Sequence, residues 1–123
     1  GVVIHSLKDA EKAGKKLCEL GTHHVVITLG AEGVWVVDSA NSLYFPALDV
    51  HTICDVTGAG DALIAGVLFG INSSLALNDS IHYGIAAATL AIETYDTVNP
   101  LLNQQLLNHK VKENESCAKL IQN

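Results

Sequence analysis

Methionine is absent from the 123 residues, and the chain opens Gly1-Val2-Val3-Ile4. A natural full-length product starts with Met, so the sequence reads as a processed chain or as a piece of a longer one. Basic residues are few, 7 Lys and Arg against 13 Asp and Glu, for a net charge of −6. The densest lysine cluster, Lys12, Lys15 and Lys16, is interleaved with Glu11 and Glu19. That leaves no basic footprint for nucleic acid or an anionic membrane surface. Aromatic residues make up only 5%, too few for a base-stacking platform. Cysteine occurs at positions 18, 54 and 117, without a CxxC pair, which argues against a disulfide framework or a zinc site. Three ordinary thiols suit a reducing cytosol and a cytoplasmic protein. The longest apolar stretch, Ala62 to Ile71, contains two glycines and falls short of the ~18 residues of a membrane span. Gly1 to Ile4 is too short for a signal sequence, and no basic region precedes it.

What is present is apolar. Hydrophobic residues make up 49% and charged residues 16%, with a mean hydropathy of +0.30. This composition excludes disorder over most of the chain and suits one modest domain. Leu7, Ala10, Ala13, Leu17 and Leu20 recur near helical spacing, so Ser6 to Leu20 reads as an amphipathic helix. Ser6 suits its N-cap and Gly21 its stop. Val25 to Leu29 (VVITL) reads as a strand buried on both faces, as in a parallel sheet. Val34 to Asp38, Leu43 to Phe45 and Val50 to Ile53 read as further strands. Ala62 to Ile71 is apolar around its whole circumference, which predicts a helix buried by neighbours. Asn72 to Ser74 is a loop. Leu77 to Thr94 is a second helix, and its small residues, AAATLA, permit close packing. Asn99-Pro100 blocks continuation. A weaker helix from Leu101 trails into a polar tail over 110–123. The order of elements predicts an α/β unit over 1–109.

The informative stretch is Asp55-Val56-Thr57-Gly58-Ala59-Gly60-Asp61, immediately before the apolar helix. Small residues at 58–60 let a ligand approach the backbone. The first amides of the helix and its dipole then make an anion site. A carboxylate beside such a site repels a resting phosphate. Asp61 makes sense if it accepts the proton of a hydroxyl that attacks phosphorus while the amides hold the charge of the transferred group. Taken alone, an Asp at a helix N-terminus also simply stabilises the helix, by ~0.3–1 kcal/mol. A Walker A loop is excluded because no Lys follows Gly60. A GxGxxG reading from Gly58 fails at Leu63, where a small residue is required.

Asp55 to Leu68, DVTGAGDALIAGVL, resembles the second signature of the PfkB carbohydrate kinases, which have the ribokinase-like fold. Ile27 to Val37, ITLGAEGVWVV, resembles that family's nucleotide-binding strand and turn. The resemblance covers roughly residues 6 to 109 and only the C-terminal part of the family's domain. It implies a ribokinase-like parallel α/β sheet flanked by helices. It also implies ATP as phosphoryl donor, with Mg²⁺ held mainly by phosphates and water. By position, Asp61 matches the catalytic base, and Gly58, Ala59 and Gly60 match the anion hole. Thr28, Leu29, Gly30, Ala31, Glu32 and Gly33 match the loop that contacts the phosphates and ribose of ATP. Gly30 and Gly33 read without the family are a plain turn. Asp55 and Thr57 match positions that help bind a monovalent cation, usually potassium. Thr94 and Asp96 lie where further cation ligands come from, or are simply a helix end and loop. Ile85 stands where many ribokinases place an Asn near adenine, which implies an apolar base contact.

Within the family the likeness is to the pseudouridine kinases, through DVTGAGDA, the small-residue helix and Tyr95 to Pro100. The implied reaction is phosphorylation of a sugar or nucleoside hydroxyl, with pseudouridine to its 5′-phosphate leading and a ribokinase- or fructokinase-like reaction as the alternative. A non-catalytic nucleotide-binding module is the alternative of another class. The implied partner is a small-molecule substrate, with a homodimer of the full-length protein as a further expectation. The six histidines form no HxxxH or HExxH pattern, and Trp35 reads as strand packing.

Overall fold

The computed structural model describes Ile4 and residues 6–50, 52–96 and 98–121, the last six by backbone alone. His5, His51 and the apolar start at 1–3 lie outside the described residues. Two units divide after Ala47.

In the first unit, α1 (Leu7–Glu19) starts at Ser6. The Ser6 hydroxyl accepts the Asp9 amide at 3.2 Å and donates to the Asp9 carboxylate at 2.8 Å. The helix ends as expected at Gly21, whose φ is +105°. There the Gly21 amide reaches the Cys18 carbonyl and the Thr22 amide reaches that of Leu17, a Schellman stop. Its buried face is narrower than the leucine spacing predicts. Ala10 and Gly14 are buried, whereas Leu17 and Leu20 are exposed. Gly14 is what lets α1 approach the sheet, because a Cβ there would lie 2.6 Å from Val37 Cγ2.

The sheet comprises β1 (His24–Thr28), β2 (Val34–Asp38) and β3 (Ser42–Phe45) in the order β1-β2-β3. Both pairings are antiparallel, with Val25 opposite Val37 and Trp35 opposite Tyr44. This corrects the expected parallel arrangement for the described residues. The connections, 29–33 and 39–41, are far shorter than the crossover of a dozen or more residues that a parallel pair needs. β1 is an edge with Val25 buried and Val26 exposed, so it is not covered on both faces. Trp35 packs on Tyr44 with ring centroids 5.5 Å apart, as packing predicts. The expected strand over Val50 to Ile53 is not formed at 50, 52 or 53.

The second unit holds α2 (Ala59–Asn72), α3 (Leu77–Ile92) and α4 (Gln104–Ile121). α2 begins three residues earlier than its apolar run, so Ala59 and Gly60 form its first turn and Gly58 is the N-cap. Only one face of α2 is covered: Leu63, Gly66, Val67 and Gly70 are buried, and Ile64, Leu68 and Ile71 are exposed. α3 packs its small residues against α4. Ala86, Ala87 and Leu90 form a buried cluster with Leu107 and Val111. The predicted tail is helical instead: α4 runs on through residues 110–121, and Val111 and Asn114 are buried. Leu107, Val111 and Asn114 are buried about one turn apart along α4, a spacing that the polar composition of the segment conceals.

Candidate functional site

The turn before α2 is built from two short devices. The Asp55 carboxylate accepts the Thr57 amide at 2.8 Å. That bond, followed by the Thr57 side chain, holds the Asp55 carboxyl below its ordinary 3.8. Gly58 then takes φ +82°, a left-handed conformation that glycine adopts without steric cost. The helix closes on it through the Ala62 amide and the Gly58 carbonyl at 2.9 Å. The amides of Gly60 and Asp61 have no hydrogen-bond partner among the described residues, as a first helical turn dictates.

The glycines of this unit divide into two kinds. A Cβ at Gly66, Gly70 or Gly84 would collide with the opposite helix, whereas one at Gly58 or Gly60 meets nothing within 4 Å. Intramolecular packing therefore does not require glycine at 58 or 60. Both border open space, as a surface approached by a ligand would. Gly58 and Asp61 stand at one end of a cleft of about 530 Å³ between α2, α3 and residues 98–107. Its walls are mostly small or apolar, among them Ala62, Ala65, Leu90, Ala91 and Leu107. The Asp61 side chain is exposed.

Cys54 ties this turn to the end of α3. Its amide donates to the Ile92 carbonyl at 2.8 Å and its thiol to the Glu93 carbonyl at 3.4 Å. The chain around Asp55 therefore runs beside the segment that carries Thr94 and Asp96. The Thr94 hydroxyl is engaged locally, accepting the Asp96 amide at 3.2 Å. No group of three or more His, Cys, Asp or Glu side chains is placed to hold a metal ion among the described residues. A cation here would lean on backbone carbonyls as much as on Asp55.

Thr28 to Gly33 belongs to the first unit. The strand ends at Thr28, and Gly30–Glu32 forms one 3-10 turn, closed by the Leu29 amide on the Gly33 carbonyl at 2.8 Å. The amides of Gly30 and Ala31 have no partner among the described residues. The two glycines differ in what they serve. Gly30, at φ +59°, faces open space. Gly33, at φ +110°, lies against the Phe45 carbonyl, and a Cβ would stand 2.7 Å from the Ala47 amide nitrogen. Gly33 is thus demanded by the end of β3 crossing over it, a reason internal to the fold.

Ile85 departs from its expected place. It is 4% exposed and is absent from the cleft wall. Its side chain is among the buried residues of α3. Lys110 is a residue the sequence reading missed. It pairs with Glu93 at the end of α3, a contact between residues 17 apart that no local pattern announces.

The pfkB family carbohydrate kinase model matches residues 1–104. The 1-phosphofructokinase of Bacillus subtilis is 29% identical over 107 residues, covering 87% of this chain and 35% of that protein. The ribokinase of Lactococcus lactis is 30% identical over 94 residues, covering 76% of this chain and 31% of that protein. The solved ribokinase of Thermotoga maritima superposes with a TM-score of 0.77 at 25% identity, covering 83% of this chain and 34% of that one. The chain thus spans about a third of the length of the relatives it matches, and its architecture is that part of the ribokinase fold. From the match over most of its length, together with the shared fold, the chain belongs to the pfkB family of carbohydrate kinases.

Proposed function

We propose that these residues form the phosphoryl-transfer part of an ATP-dependent kinase acting on a hydroxyl of a sugar or sugar phosphate. One observation carries the reading. The unpartnered amides of Gly60 and Asp61 and the Asp61 carboxylate share a single helical turn that faces open space at one end of a cleft. Donors and base so close together suit an in-line displacement. Asp61 takes the proton of the acceptor hydroxyl as its oxygen bonds to the γ-phosphorus. The bond from that phosphorus to the bridging oxygen breaks, and ADP leaves. The open amides of Gly60 and Asp61 and the positive end of α2 hold the charge that gathers on the transferred group, while the Ala59 amide is turned onto the Val56 carbonyl at 3.3 Å.

In this reading the Thr28 to Gly33 turn takes the nucleotide, through the open amides of Gly30 and Ala31. The phosphates and water would hold Mg²⁺, which would supply charge neutralisation there. Asp55 and Thr57, with carbonyls of the Thr94 to Asp96 segment, would hold a potassium ion that fixes the turn. The relatives named above carry a phosphofructokinase or a ribokinase name. That favours a sugar or phosphosugar acceptor over the pseudouridine suggested by the sequence likeness.

The test is a panel of fructose phosphates, ribose, other sugars and nucleosides, pseudouridine included, assayed with the intact protein and ATP, with and without potassium. One acceptor class should be phosphorylated, and Asp61→Asn should lower kcat by about 10³-fold or more. ATP binding without transfer to any acceptor would instead favour a nucleotide-binding module, and unchanged transfer by Asp61→Asn would remove the base assignment.

A further inference from the structure

We propose that Lys110 is a positioning residue for the Asp61 turn, acting from α4 through Glu93 and Cys54; its catalytic meaning rests on the function proposed above. Cys54 directs two donors onto consecutive carbonyls, its amide to Ile92 and its thiol to Glu93. These carbonyls lie at the end of α3, where helix geometry leaves acceptors without internal partners. The next residue, Asp55, opens the turn that captures the Thr57 amide and leads through Gly58 to Asp61. The end of α3 therefore decides where that turn begins.

α3 has no basic residue in its own last turn, so the negative end of its dipole is uncompensated from within. Lys110 supplies the cation from α4. Its ammonium lies 3.0 Å from the Glu93 carboxylate, with side chains 17% and 27% exposed. A second contact reaches Glu113 at 3.6 Å. The pair is more sheltered than Lys15–Glu11 on α1, where the lysine is 56% exposed, and sheltered pairs are screened less by salt. The route from Lys110 to Asp61 thus runs through an ion pair, one residue's backbone and two hydrogen bonds. Each member of it is confined to the second unit.

Amide hydrogen exchange on the intact protein tests this without relying on turnover. Lys110→Met should raise exchange by about fivefold or more at the hydrogen-bonded amides of Cys54, Thr57 and Ala59 and at residues 90–93, and leave the middle of α2 unchanged. Lys110→Arg should restore protection, and Lys15→Met should have no effect there. Cys54→Val should reproduce the increase at Thr57 and Ala59, while Cys54→Ser, which keeps a donor, should not. Turnover should show kcat falling severalfold in Lys110→Met at an unchanged acceptor KM. Should Lys110→Met not fold, Glu93→Ala removes the same pair and is read in the same way. Wild-type exchange at Cys54, Thr57 and Ala59, or an increase spread evenly over α2 and α3, would overturn the inference. Loss of protection at Cys54, Thr57 and Ala59 with no phosphorylated acceptor would keep the structural coupling and remove the kinase reading. An inactive Asp61→Asn beside a Lys110→Met of normal exchange and kcat would do the reverse.

Discussion

Gly70 and Ser80 meet so closely across the α2–α3 pair that a Cβ on Gly70 would lie 2.7 Å from both Cβ and Oγ of Ser80. Ser80 is fully buried and turns its hydroxyl back onto the Ala76 carbonyl at 2.9 Å. One turn away a Cβ on Gly66 would strike the Tyr83 carbonyl and stand 2.8 Å from Gly84 Cα. The two helices touch backbone to backbone, without space for a methyl group between them.

Gly66→Ala and Gly70→Ala should therefore each destabilise the protein by about 1–3 kcal/mol, the usual cost of overpacking a rigid contact. Gly66→Ala should be the worse of the two, because its obstacle is main chain. Urea unfolding followed by far-ultraviolet circular dichroism measures both.

Gly60→Ala should behave in the opposite way. Nothing stands within 4 Å of the added methyl, and Ala is the better helix former, so stability should hold or rise by roughly 0.5 kcal/mol. If a phosphoryl group approaches this backbone, transfer should fall by about tenfold or more. A stable protein with impaired transfer separates the demand of a ligand from the demand of packing.

His82 predicts the pH dependence of stability. Burial holds its imidazole below the ordinary 6.5, against the pull of Glu115 and Asp79 in the other direction. The unfolded chain therefore binds a proton at a higher pH than the folded one. Stability from this group is intact above about pH 6.5 and is lost progressively as pH falls toward the lower folded value. His82→Gln should flatten the slope of unfolding free energy against pH just below 6.5, measured by denaturant titration at several pH values.

The uncovered face of α2 predicts association. Ile64, Leu68 and Ile71 follow helical spacing and are 57%, 59% and 47% exposed. Each offers up to about 1.5 kcal/mol to any surface that buries it fully. The chain as given should elute as concentration-dependent oligomers in size-exclusion chromatography with light scattering. Ile64→Lys combined with Leu68→Glu should shift it toward the monomer while the helical signal is kept.

Much of this protein could be read from local pattern. Ser6 and Gly21 marked the ends of α1 because caps are local chemistry. Asp55 to Asp61 announced the turn that opens α2 with free amides because its small residues, its carboxylates and the following apolar helix are contiguous. Relations between distant residues could not be read in that way. An apolar run such as Val25 to Leu29 has the same pattern in a parallel or an antiparallel sheet, and only the short connections to β2 and β3 decided the hand of the pairing. A whole-circumference apolar helix announces burial without saying which face a neighbour reaches, and α3 covers only one side of α2. Gly33, Gly66 and Gly70 looked like any other glycines until their opposite backbones were in place. Ile85 matched a ligand position by count yet lies in the interior, because helix rotation, which counting ignores, sets the direction of a side chain. The local build of the turn was thus decided by sequence alone, since one helical turn fits within seven residues. Its placement was decided by tertiary structure, since Cys54, Glu93 and Lys110 meet only when three separate segments pack.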